Sequence, residues 1–185
     1  MDNKKNISIM LVCTVLVFLL ICGNQKVNAV VGKDVTKTIT DKGKMKKLSN
    51  EFRGLLGYYT CHTLEINESK LFDFSKKKSR QEAIKFTYEN HGRLSGSAQN
   101  KLSKQLFGAG IAKTEQLIGD WGCSYPVLNI SKIYKTSARQ YQMNVTIYMD
   151  DEDGGHEKMG TAAIFLKKDL RAKYGYYVKR IEILK

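Results

Sequence analysis

Gln140-Tyr141-Gln142-Met143-Asn144-Val145-Thr146-Ile147-Tyr148-Met149 is the stretch that decides the fold. Tyr141, Met143, Val145, Ile147 and Met149 alternate with Gln140, Gln142, Asn144, Thr146 and Tyr148. Successive side chains of a strand point to opposite faces, so this stretch buries one face and leaves the other in contact with water. Directly after it, Asp150-Asp151-Glu152-Asp153-Gly154-Gly155 reads as a hairpin turn. Residues 158–167 then read as the return strand, 176–184 as the last strand and 128–134 as the first of the set. Sequential strands joined by short turns predict an antiparallel four-stranded meander at the C-terminal end.

Upstream the period changes. Met45, Leu48, Phe52, Leu55, Leu56 and Tyr59 recur at spacings of three and four, which predicts one amphipathic helix over about residues 40–60. Gly54 and Gly57 weaken that helix, and they open room for another element to approach closely. Residues 61–74 read as extended, with a hairpin turn at 67–70. Ser79-Arg80-Gln81-Glu82 has the spacing of a capping box and predicts a helix start, with Asn90-His91-Gly92 as its end. A further helix is expected over 97–107, stopped by Gly108, and Thr114–Ile118 is at most a short helix. Helices first and a curved antiparallel sheet last make an α+β domain.

The N-terminus sets the compartment. Lys4 and Lys5 precede 16 uncharged residues from Ile7 to Cys22, and Val27-Asn28-Ala29 supplies a small-residue exit. That is the layout of a secretory signal peptide cleaved after Ala29, leaving 30–39 as a flexible mature N-terminus and 40–185 as one domain. The alternative is retention of 7–22 as a single-span anchor, although a spanning helix needs roughly 20 apolar residues. Ile21 is too large for lipoprotein processing at Cys22. Cleavage removes three lysines and one aspartate, so the formal charge goes from +13 to +11. Such a domain is drawn to polyanions: anionic lipid, wall polymers, glycans or loose nucleic acid, the last without sequence specificity.

Two runs carry the densest positive charge: Lys76, Lys77, Lys78 and Arg80, and then Lys167, Lys168, Arg171 and Lys173, with Tyr174, Tyr176 and Tyr177 close by. They are the candidate basic patch for a polyanion. Cys61 and Cys123 are the two cysteines outside the leader and the candidate disulfide in an oxidising space. Cys123 in Gly119-Asp120-Trp121-Gly122-Cys123 matches no hydrolase signature, and no catalytic residue is expected. His62, His91 and His156 share no metal-ligand spacing, and Asp151 and Asp153 lack the remaining ligands of a calcium loop, so neither a metal nor a cofactor is expected. The sequons at Asn67, Asn129 and Asn144 matter only in a glycosylating host.

Helices followed by a curved sheet over residues 40–185 resemble the cone-shaped nuclear-transport-factor-2-like and cystatin-like domains. Gln142-Met143-Asn144-Val145-Thr146 departs at its last position from the cystatin inhibitory loop, which argues against protease inhibition. The expectation for function is an exported, non-enzymatic binding domain that contacts a protein partner or an anionic surface. Retention of 7–22 would instead give a membrane-attached envelope component, such as a conjugation-channel scaffold subunit or a toxin-immunity protein, which the resemblance would suit.

Overall fold

The computed structural model describes residues 32–61, 69–118, 126–150 and 155–184. The leader, His62, the Asn67 sequon, Cys123 and the Asp151–Gly154 turn lie outside them. In chain order the elements are β1 (Lys33–Asp34), α1 (Lys42–Asn50), α2 (Arg53–Cys61), β2 (Lys70–Asp73), α3 (Lys77–Lys85), α4 (Tyr88–His91), α5 (Gly96–Phe107), β3 (Val127–Lys135), β4 (Gln140–Asp150), β5 (His156–Lys168) and β6 (Tyr176–Leu184). The class is α+β.

Among the described residues the sheet is antiparallel and has six strands, not four, in the order β1-β3-β4-β5-β6-β2. The four long C-terminal strands pair in sequence order, and the alternating stretch forms β4. Two short strands extend the edges: β1 pairs Lys33 with Lys135, and β2 pairs Lys70 with Ile183 and Asp73 with Arg180. β1 is not visible to a periodicity argument, whereas β2 falls within the stretch expected to be extended and only its partner is not visible. Two residues have no period, and β2 takes its partner from the far end of the chain instead of closing a local hairpin. The segment expected to be flexible is tied down from Lys33 onward, because Val35 donates its N–H to Ile133 O at 2.9 Å and Val35 and Ile39 pack on the core.

One face of the sheet carries the core. Met143, Val145 and Ile147 are fully buried, beside Ile133 and Leu128 on β3, Ala162 and Ile164 on β5, and Val178, Ile181 and Ile183 on β6. The helices cover it with Met45, Leu48, Phe52, Leu55, Leu56, Leu102, Leu106 and Phe107. Phe52, Phe74 and Phe107 stack together at centroid distances of 4.3 to 6.0 Å. Gly54 and Gly57 serve close approach: a Cβ at either would stand 2.7 Å from Phe86 O or from the Pro126 ring.

The expected 40–60 helix is two helices. The chain tightens at the junction, where the Glu51 and Phe52 N–H groups reach back only three residues, to Leu48 O and Ser49 O. The apolar stripe survives the break, and Glu51 turns inward. The expected capping box at Ser79 is not the start of α3, which begins at Lys77 behind an extended Lys76 with no side-chain cap. Arg80 fixes that start, because its guanidinium holds the carbonyls of Phe74, Ser75 and Gly110 at 2.7 to 3.3 Å. For α5 the expectation holds: Ser95 Oγ accepts from Ala98 N, and Gly108 ends the helix at φ +80°. Residues 114–118 form no helix and are strapped down by Leu117 N–H to Lys85 O at 2.8 Å.

Candidate anion-binding surface

Strand pairing brings the two basic runs to one end of the sheet. Asp73 lies opposite Arg180, and the next residue, Phe74, donates its N–H to Lys179 O at 3.0 Å. Two residues later the chain reaches Lys76. From the other side of β6, Lys167 lies opposite Tyr177 and Lys168 opposite Tyr176. Lys76–Lys78 and Lys167–Lys173, far apart in sequence, therefore flank the same strand.

The eight candidate cations do not form one class. Arg80 is 8% exposed and, among the described residues, its guanidinium bonds to backbone carbonyls alone, so it is a structural tie and not part of the surface. Lys168 is 2.9 Å from Asp41, Arg171 is 2.8 Å from Asp169, and Lys173 is 2.7 Å from Glu51. Those three are neutralised locally. Lys76, Lys77, Lys78 and Lys167 are exposed, and among the described residues their ammonium groups have no ion-pair partner. Lys179, which the sequence hides inside a strand pattern, joins them, whereas its neighbour Arg180 is 3.0 Å from Glu182 and is neutralised locally. Lys179 lies 5.5 Å over the Tyr177 ring, and its pKa is pushed down by burial and then by Lys167 and Arg80, with Asp169 opposing. Arg180 stacks at 3.9 Å over Phe165. A groove of about 540 Å³ runs past Leu71, Phe165, Lys167, Lys179 and Arg180.

The position of Lys76–Lys78 is electrostatically adverse. They sit at the start of α3, whose first turn contains no acidic residue. A helix N-terminus carries partial positive charge, so cations there are disfavoured by about 0.3–1 kcal/mol each at low salt. Asp73 offsets Lys76 in part, and Lys77 and Lys78 have no ion-pair partner among the described residues. Asp73 is held below its ordinary pKa mainly by bonds from Ser75, and Asp169 mainly by bonds from Arg171. An external anion would satisfy the lysines and the helix end together.

A second polar cluster had no counterpart in the sequence reading. Glu51 is 5% exposed at the α1–α2 junction and receives His91 Nε2 at 2.5 Å, Lys173 Nζ at 2.7 Å and the Tyr174 hydroxyl. Burial alone would raise the Glu51 pKa, but the bonds from His91, Lys173 and Tyr174 outweigh it and bring the pKa down to about 2. Beside it, Arg53 pairs with Glu89. The cluster joins the α1–α2 junction, the end of α4 and the β5–β6 loop. A signal for it existed. Glu51 lies three residues after Leu48 and four before Leu55, on the buried stripe.

Cys61 ends α2, while its candidate partner Cys123 is outside the described residues. Among the described residues no three His, Cys, Asp or Glu side chains converge on a possible metal position, and no helix is long and apolar enough to cross a membrane. No protein-family model, curated protein or solved structure matches this chain.

Proposed function

We propose that this chain is an exported, non-enzymatic binding domain whose working surface is the basic end of the sheet around β6, and that its partner is anionic. The observation that carries the reading is Lys76–Lys78 at the uncapped positive end of α3, beside Lys167 and Lys179, with no acidic side chain in the helix's first turn. Retaining repulsion of that kind makes physical sense where an anion relieves it. The export reading rests on the leader pattern ending at Ala29, and the likeness to cone-shaped helix-and-sheet domains stays a proposal about ancestry.

The test is a Lys76→Gln, Lys77→Gln, Lys78→Gln, Lys167→Gln variant titrated with dextran sulfate and with vesicles containing phosphatidylglycerol. The expected result is a loss of at least tenfold in affinity and a shallower salt dependence, because each lysine near an anionic surface contributes about 1 kcal/mol. Unchanged affinity and salt slope would end the proposal. The mass of the protein recovered from its host tests export: a chain beginning at Val30 supports cleavage, and one beginning at Met1 reverses it.

A further inference from the structure

The β5–β6 loop adds an apolar tip to the charged surface. Leu170 is 91% exposed, more than the other exposed large apolar residues, Leu71, Leu117, Ile118 and Val127. It does not owe that exposure to a loose loop. Asp169 N–H bonds to Gly175 O at 2.9 Å, Ala172 N–H to Asp169 O at 3.1 Å, and Gly175 N–H to Ala172 O at 3.0 Å. The Asp169 carboxylate also takes the Arg171 N–H at 3.1 Å and its guanidinium at 2.8 and 3.0 Å, while Lys173 N–H reaches α5 at Gln105 O, 3.2 Å away. Ala172, two residues on, is 6% exposed and anchors the loop's inner side. The turn is therefore cross-tied, and it holds one leucine out at the end of the molecule where the cations gather.

The sequence around that tip is Lys167-Lys168-Asp169-Leu170-Arg171-Ala172-Lys173. A soluble polyanion would reward the cations and gain nothing from the leucine. A lipid interface rewards both, with an apolar side chain below the headgroups and long basic side chains reaching up to the phosphates. Resting on the anionic-surface reading above, we propose that the surface is an anionic phospholipid bilayer and that Leu170 is the residue that enters it. Lys76–Lys78, Lys167 and Lys179 supply the electrostatic attraction, and Arg171, its charge shared with Asp169, sits at headgroup depth. One leucine gives shallow, reversible attachment.

The experiment uses the protein recovered from its host with its native N-terminus, so that any leader contribution is common to all variants. Binding is measured to phosphatidylcholine vesicles, to mixed phosphatidylcholine–phosphatidylglycerol vesicles and to dextran sulfate, for the wild type, Leu170→Ser, Leu170→Trp and the four-lysine variant. Leu170 touches no core, so the variants are expected to keep the wild-type circular dichroism. The proposal expects Leu170→Ser to lose roughly tenfold in affinity for the mixed vesicles while keeping its affinity for dextran sulfate. It expects Leu170→Trp to add blue-shifted emission, over the Trp121 background, on mixed vesicles alone. Lysine-dependent binding to both anionic probes, with Leu170→Ser unchanged and no blue shift, would overturn the bilayer and leave the basic surface standing. Absence of lysine-dependent binding to either probe would remove the basic surface and the bilayer together. A blue shift that tracks protein concentration without lipid would assign the tip to a second copy of the chain and overturn the bilayer.

Discussion

Glu51 and Lys76–Lys78 show two opposite treatments of charge in one small domain. At Glu51 a buried carboxylate is met by His91, Lys173 and Tyr174, and the bonds fasten three separate parts of the chain. At the start of α3, three lysines crowd the positive end of a helix with no acid in its first turn. The first arrangement spends its charges within the fold. The second leaves them available to something outside it. Lys173 and Lys78 are the same residue type in the same kind of basic run, and only the structure separates them. Local neutralisation, rather than charge density along the sequence, distinguishes a structural cation from a working one.

The comparison is most exposed to a test at Glu51. Replacing it with Ala takes the shared acceptor from His91 and Lys173, both partly exposed, and the expected loss is about 2–3 kcal/mol in urea unfolding, with dextran sulfate affinity unchanged in whatever fraction remains folded. A loss under about 1 kcal/mol would make the cluster an ordinary surface pair. The pH dependence sharpens the same point. The Glu51 pKa is lowered from an ordinary 4.5 to about 2. Its contribution is therefore present above pH 4.5 and is lost as the pH falls toward 2. By linkage it amounts to about 3 kcal/mol. Wild-type stability should fall more steeply than that of Glu51→Gln across that window, as measured by urea unfolding at stepped pH.

Arg80 sits between the two treatments. It belongs to the basic run by sequence and to the core by structure. Arg80→Gln should cost about 2 kcal/mol by stripping donors from the carbonyls of Phe74, Ser75 and Gly110, and should leave dextran sulfate affinity within about twofold of wild type once folding is corrected for. A large loss of affinity without loss of stability would put Arg80 back on the surface.

How much of this was legible follows from the range of each cause. The β4 alternation, the β6 pattern and the Gly108 stop are local, so the sequence displays them directly. Gly54 and Gly57 announced close approach, although not that Phe86 and Pro126 would fill the space. The β2–β6 pairing, which brings the two lysine runs together, joins residues more than a hundred positions apart and leaves no local trace. Arg80 reads as surface because it follows three lysines, and nothing local reports three carbonyls waiting for it. Glu51 was legible only by position: a carboxylate on an apolar stripe must find partners, but His91 and Lys173 arrive through tertiary folding.

The smallest expected effect is the most discriminating. If Lys77 and Lys78 are held against the α3 dipole for the sake of an anion, then replacing either with Gln should raise stability, by about 0.3–1 kcal/mol at low salt, and weaken anion binding in the same variant. The gain should shrink with added salt as screening removes the repulsion. Lys173→Gln should do the reverse, lowering stability through the loss of the Glu51 contact at 2.7 Å and barely changing affinity. Paired urea titrations and dextran sulfate binding on the three single variants read both quantities. Opposite signs at Lys78 and Lys173 separate the two kinds of lysine. If both lose stability and both keep affinity, the lysines of the first turn of α3 do structural work as well, and the contrast between the two regions fails.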